Sequence, residues 1–187
     1  KGCEDSDLYV QAAKKLNELE PSAESAYNIA KWYAAKEDCG SAVEYFKQVV
    51  ELTEDRELKE KAYISISKCY LVMRQYASTK TYALKALSMN GKTGPAVMLI
   101  GDAYAYGSKS LSDDPCEKKA GYWAAVDKYK SAMSMDHSLT EKINGKIAKA
   151  RGQFPTKKDC FFKGFKEGDS YNVGGWINET TTVRVNE

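Results

Sequence analysis

The chain has 187 residues, 43% hydrophobic and 29% charged, enough for one medium-sized domain or an array of small units. Its 28 basic and 26 acidic side chains leave a net charge of +2, too balanced to make nucleic acid the main partner. No run approaches the roughly 18 apolar residues of a membrane span, and the composition excludes collagen-like, disordered and disulfide-dense chains.

The chain begins Lys1-Gly2-Cys3, without Met and without an apolar targeting segment. A processed chain, or one cut from something longer, is expected. Ser22 is a candidate cap for a helix opening near Ala23. A pattern then recurs. It reads Ala26-x-x-Ile29-Ala30-x-x-Tyr33, then Tyr63-x-x-Ile66-Ser67-x-x-Tyr70, then Val97-x-x-Ile100-Gly101-x-x-Tyr104. The steps between the tyrosines are 37 and 34 residues. A second pattern follows each tyrosine. Ala42-x-x-x-Phe46-x-x-Val49 and Thr79-x-x-x-Ala83-x-x-Ala86 share one offset. Ala125-x-x-x-Tyr129-x-x-Ala132 is displaced by twelve extra residues.

Spacings of three and four residues put these side chains on one helix face. Each unit therefore predicts two antiparallel helices, with Ala30, Ser67 and Gly101 allowing close approach. Neither helix buries its stripe alone, so neighbouring units must stack into an all-α array. The twelve extra residues, about 107–118, predict a polar loop over Gly107–Asp114 and an extension of the second helix beyond it. A helix is then expected from Pro115, capped by Asp114. Ser138-x-x-Glu141 predicts a capping box opening a helix from about Leu139 to Gly152.

Beyond Phe154-Pro155 the composition turns to Gly, Thr and Val. Ser170–Val173 and Thr180–Val185 predict short strands around Gly174-Gly175. Such a hairpin does not stand alone, so Phe161, Phe162, Phe165 and Trp176 are expected to pack on the last helices or on another chain. The five cysteines are at least thirty residues apart, which leaves no zinc-like cluster. Free thiols are the expectation. A single disulfide, for instance Cys116 to Cys160, stays open, because pairing cannot be read from sequence.

The repeated pattern resembles the tetratricopeptide repeat, with its W-x-x-L-G-x-x-Y, A-x-x-x-F and closing P over 34 residues. The resemblance covers about residues 6–137. Here the initial Trp is Ala26, Tyr63 or Val97, only Gly101 keeps the glycine, and the closing Pro is Glu54, Gly91 or His137. The resemblance implies a right-handed α–α superhelical solenoid with a short β-containing tail. It divides the chain into a partial leading repeat at 6–21 ending in Pro21, three helix pairs at 22–137, a capping helix at 138–153 and a tail at 154–187. The tail, through Phe154–Asp159 and Gly175–Arg184, is similar to the ending of a group of bacterial repeat proteins. That similarity implies the bacterial periplasm or cell envelope.

Catalytic signatures are absent from the sequence. His137 is the one histidine, and it falls at a helix end where a dipole suits it. There is no Gly-x-Ser-x-Gly elbow and no His-Glu-x-x-His, and Gly91-Lys-Thr-Gly94 lacks the spacer of a phosphate loop. Asp113-Asp114 suits a loop and cap better than acid–base work. No cofactor and no metal are expected. The family resemblance implies a concave groove lined by first helices that holds a protein or peptide. The outward positions on those helices are Tyr27, Lys31, Ile64, Lys68, Met98, Asp102 and Tyr106, with Asn28 beside them. Lys31, Lys68 and Asn28 resemble part of a carboxylate clamp, which Asp102 would oppose. The leading expectation is a noncatalytic binding scaffold. The alternatives are a self-associating assembly subunit that uses its tail or groove, and an enzyme with a site near the insertion.

Overall fold

The structure, a computed structural model, describes residues 7–91 and 93–187, with the side chains of Asp7 and Tyr9 left aside. Cys3 and the first residue of the leading half-unit lie outside the described residues. In chain order the helices are α1 (Asp7–Leu19), α2 (Ala23–Ala35), α3 (Cys39–Leu52), α4 (Arg56–Val72), α5 (Tyr76–Asn90), α6 (Gly94–Gly107), α7 (Ala120–Met135), α8 (Thr140–Arg151) and α9 (Lys157–Cys160). Strands β1 (Ser170–Val173) and β2 (Glu179–Thr182) form one antiparallel pair, with Ser170 opposite Thr182 and Val173 opposite Glu179. Consecutive helices pack on one another from α1 to α8, and α4 also touches α6.

The repeated positions form the core. Ala26, Ile29, Ala30, Ile66, Ser67, Val97, Ile100 and Gly101 are buried on α2, α4 and α6. Their partners Ala42, Phe46, Val49, Thr79, Ala83, Ala86, Ala125, Tyr129 and Ala132 are buried on α3, α5 and α7. Close approach explains the small residues. A Cβ at Gly101 would lie 2.6 Å from the Tyr129 ring. The Ser67 hydroxyl instead donates to the Thr79 carbonyl at 2.9 Å.

The turns inside the first two units also repeat. The Asp38 and Gln75 N–H groups donate to the Tyr33 and Tyr70 carbonyls at 3.0 and 2.9 Å. Between them Glu37 and Arg74 sit at φ +62° and +58°. This is the hydrogen-bond pattern of a Schellman helix end, built without glycine. The expected cap at Ser22 is present, accepting from the Ser25 N–H at 3.2 Å. Asp38 and Asp55 cap α3 and α4 in the same way.

Several expectations need correction. Cys116 and Cys160 are joined in a disulfide, while Cys39 and Cys69 are free and buried. Polar contacts hold the two bonded ends together: Lys119 to Asp159 at 2.9 Å, and Lys163 to Glu117 at 2.9 Å. Next, α7 begins at Ala120 rather than at Pro115. The Asp114 carboxylate does accept from the Cys116 and Glu117 N–H groups, but the turn it closes leads into a short 3-10 segment, Glu117–Lys119. Likewise Asp136, not Ser138, caps the turn that leads into α8, accepting from the Ser138 N–H at 3.0 Å. Finally, Phe161 and Phe162 do not pack on the helices and are 75% and 94% exposed.

The rest of the tail lies against α5, α6 and α7. Val173, Ile177 and Val183 are buried. Trp176 stacks near Tyr76 and meets Tyr104 edge to face, with centroids 6.4 and 5.7 Å away. Gly107 makes room, since a Cβ there would sit 2.6 Å from the Trp176 ring. The Trp123 indole N–H donates to the Arg184 carbonyl at 2.6 Å, and Arg184 pairs with Asp127 at 2.6 Å. The strand expected over Thr180–Val185 stops at Thr182, where the Val183 N–H turns to the Asp169 carbonyl at 2.8 Å. The Asn186 N–H then donates to the Pro155 carbonyl at 2.8 Å, closing the tail on its own start.

Candidate functional site

Helix α6 positions the site. Pro95 lies in its first turn, and an apolar run from Ala96 to Ala105 buries it between α5 and α7. Two of its expected outward residues, Met98 and Asp102, are buried, at 7% and 4% exposure. Asp102 is covered from the neighbouring helix α8, whose Lys146 reaches it at 2.6 Å. The Tyr129 hydroxyl donates to the same carboxylate oxygen at 2.8 Å. Burial first, and then the Asp102 charge, holds the Tyr129 phenol well above its ordinary range. Asp102 therefore ties α6, α7 and α8 together.

Tyr106 lies one turn beyond Asp102 and is 59% exposed. It lines a groove of about 530 Å³ with Tyr122, Tyr129, Lys146, Lys149 and Gln153. Tyr122 and Gln153 also line an adjoining hollow of about 460 Å³, where Lys109, Lys118 and Asp113 contribute charge. The two hollows share a wall, so an aromatic floor continues into a lysine-rich rim. Such a surface suits an extended segment with apolar anchors and acidic groups.

The other expected site residues are spread along α2 and α4. Tyr27 is half-buried and meets Phe46 edge to face at 5.7 Å. Lys31 is exposed, 5.9 Å over the Tyr27 ring. Asn28 is exposed and lines a separate hollow of about 360 Å³ against α1. Ile64 is half-buried against the larger core cluster, and Lys68 is exposed. Tyr106 is thus the expected residue that reaches the large groove, while Asp102 ties down its Lys146 and Tyr129 walls. Tyr122, Lys146, Lys149 and Gln153 lie off the first-helix faces that the repeat pattern marks, on α7, on α8 and just beyond it. The i, i+3 pair Lys146 and Lys149 was the available signal.

Among the described residues no group of three His, Cys, Asp or Glu is placed to hold a metal ion. None of the described helices is long and apolar enough to cross a membrane. No protein-family model matches the chain, and no curated protein matches it.

Proposed function

We propose that the chain is a noncatalytic helical-repeat scaffold of the tetratricopeptide type. It holds a peptide or protein segment in the groove shared by α6, α7 and α8. The observation that carries the reading is that groove, about 530 Å³ lined by Tyr106, Tyr122, Tyr129 and two lysines. Buried small residues at matching positions and the repeated turns of the first two units support the repeat assignment. In this reading the helices wind into a right-handed superhelix, and Lys31, Lys68 and Tyr106 share its inner face. The Cys116–Cys160 disulfide favours an oxidising compartment, in line with the periplasm or cell envelope that the tail resemblance implies. Self-association through the tail finds less support, because Val173, Ile177 and Val183 are buried against the chain's own helices.

The test is a random peptide library displayed on phage and panned on the oxidised protein, followed by anisotropy titration of an enriched peptide. Tyr106→Ala with Lys149→Glu is expected to weaken that peptide by about tenfold or more, with the far-ultraviolet helical signal unchanged. Lys31→Glu with Lys68→Glu reports whether the contact extends onto α2 and α4. Failure to enrich any peptide, or an affinity untouched by all four changes, would overturn the reading.

A further inference from the structure

Phe161 and Phe162 stand side by side in water at 75% and 94% exposure. Their rings meet edge to face, with centroids 5.4 Å apart. Adjacent and in contact, they make one contiguous apolar patch rather than two scattered exposed side chains, and such patches mark interaction surfaces. These two are also firmly mounted. Helix α9 runs straight into the 3-10 turn Phe161–Lys163. Thr156 and Asp159 form a capping box at its start, and Cys160 is tied to Cys116 immediately before the rings. Lys163, immediately after them, pairs with Glu117 at 2.9 Å and Asp114 at 3.5 Å. Gly164, at φ +67°, then turns the chain away. The pair is a convex knob on a braced turn.

The charges around it are sorted. Asp159 is taken by Lys119 at 2.9 Å and by the Thr156 N–H, while Glu117 and Asp114 share Lys163. Lys157, Lys158 and Lys166 are exposed, and their ammonium groups have no carboxylate partner among the described residues. Lys157 and Lys158 lie on α9 directly before Phe161 and Phe162, and Lys166 follows the turn. Glu167 and Asp169 come after the Gly164 turn, and the Asp169 carboxylate accepts from the Lys166 N–H at 2.9 Å.

We propose that this knob docks on an anionic lipid surface. Phe161 and Phe162 enter the boundary between headgroups and acyl chains, and Lys157, Lys158 and Lys166 lie against anionic headgroups. A fluid surface accommodates a convex tip without a matching pocket. The chain's own aromatic groove is a poor receptor in a second copy, since Lys146 and Lys149 at its rim would meet Lys157 and Lys158. The proposal is independent of what the groove binds.

The experiment is co-sedimentation of the oxidised protein with extruded vesicles. One set is phosphatidylcholine alone, and the other is phosphatidylcholine with a minor fraction of phosphatidylglycerol. The wild-type chain is expected to partition onto the anionic vesicles and far less onto the neutral ones. Phe161→Ser with Phe162→Ser is expected to reduce that partitioning by about tenfold or more, with the thermal midpoint unchanged because both rings are already exposed. Lys157→Gln and Lys158→Gln are each expected to reduce it by about fivefold, and added salt should weaken it. Absence of wild-type binding to anionic vesicles, or equal binding by the double Phe variant, would overturn the proposal. So would a concentration-dependent rise in mass that needs both rings and occurs without vesicle binding, which would make the knob a contact between copies.

Discussion

The first two helix pairs complete their own tyrosine stacks, and the third takes its aromatic partner from the tail. In the first unit Tyr33 stacks on Tyr45, with centroids 5.7 Å apart and planes at 18°. In the second, Tyr70 stacks on Tyr82 at 5.2 Å and 27°. The third unit has Tyr104 at the matching place on α6, but Lys128 where the partner ring would stand on α7. Trp176 from the tail supplies the missing aromatic contact at 5.7 Å. Glu179 answers the lysine at 3.0 Å and accepts from the Tyr104 hydroxyl at 2.9 Å. A second lysine, Lys80, donates to the Ile177 carbonyl at 2.5 Å. One repeat thus departs from the pattern, and a distant segment restores its packing. The same division runs through the cysteines. Cys39 and Cys69 are free thiols buried in the first two units, where burial and then the neighbouring Cys39 push the Cys69 thiol up to about 12. Cys116 and Cys160 cross-link the insertion to the tail.

The largest way to break this comparison is to cut the cross-link. The bond closes a separation of 44 residues, and a loop of that size corresponds to about 4 kcal/mol in the chain-entropy account. Cys116→Ser with Cys160→Ser is expected to lose roughly that much in urea unfolding. Hydrogen exchange should place the loss on α6–α8 and the tail, with α2 and α3 little changed. Equal loss of protection in α2 and α3 would show that the chain responds as one unit.

That division was partly legible in the sequence. Helix pairs were readable because the spacing of Ala26, Ile29 and Ala30 recurs as Tyr63, Ile66 and Ser67 and again as Val97, Ile100 and Gly101. The β1 strand was readable from Ser170–Val173 and its following glycines. The stacking partners Tyr45 and Tyr82 were also there to be read, 37 residues apart like Tyr33 and Tyr70. The turns at Glu37 and Arg74 were not, because neither residue advertises a left-handed backbone. Nor were Met98 and Asp102 readable as buried, since helical periodicity on α6 gives a face but not the neighbour that covers it. For Asp102 that neighbour is Lys146 on α8, 44 residues away. The exposure of Phe161 and Phe162 was hidden for a similar reason. Apolar residues in a short tail suggest burial until the disulfide and Lys163 show where the turn is pinned.

Alkali is the next lever, and it acts most strongly through Tyr104 and Tyr129 of the third unit, with the buried Cys69 thiol adding to it in the second. Burial raises the phenols of both Tyr104 and Tyr129, and Glu179 and Asp102 add to it. In the unfolded chain each ionises near 10.0, whereas in the fold each keeps its proton. The unfolded state therefore binds fewer protons above pH 10, and stability falls as pH rises from there. Each tyrosine contributes about a tenfold change in the folding equilibrium per pH unit. Lys80 acts in the opposite sense. Its pKa is lowered by burial, so its contribution grows more favourable with rising pH until the unfolded lysine also deprotonates near 10.5. Of Lys80 and the two tyrosines, only the tyrosines still act above that. Tyr129→Phe should flatten the alkaline slope by about one proton in urea titrations above pH 10. An unchanged slope would mean that Tyr129 ionises in the folded chain.

The smallest expected effect tests the two regular units. Glu37 and Arg74 hold φ +62° and +58°, where a Cβ crowds the neighbouring carbonyl. Both are exposed, and the turn hydrogen bonds around them use backbone groups only. Glycine removes the crowding and leaves the bonds in place, but it also gives the unfolded chain more freedom. The two effects oppose each other, and at left-handed helix ends the relief of strain is the larger. Glu37→Gly and Arg74→Gly are each expected to stabilise the chain by about 0.5–1 kcal/mol, read as a higher midpoint in urea. Ser108, four residues after Tyr104 as Glu37 is after Tyr33, has φ −53° and right-handed helical geometry. Ser108→Gly should therefore destabilise, the more so because its buried hydroxyl donates to the Lys118 carbonyl at 2.8 Å. Opposite signs at equivalent positions would show that the insertion replaces the repeated turn rather than lengthening it. A gain from Ser108→Gly would put the same turn in all three units.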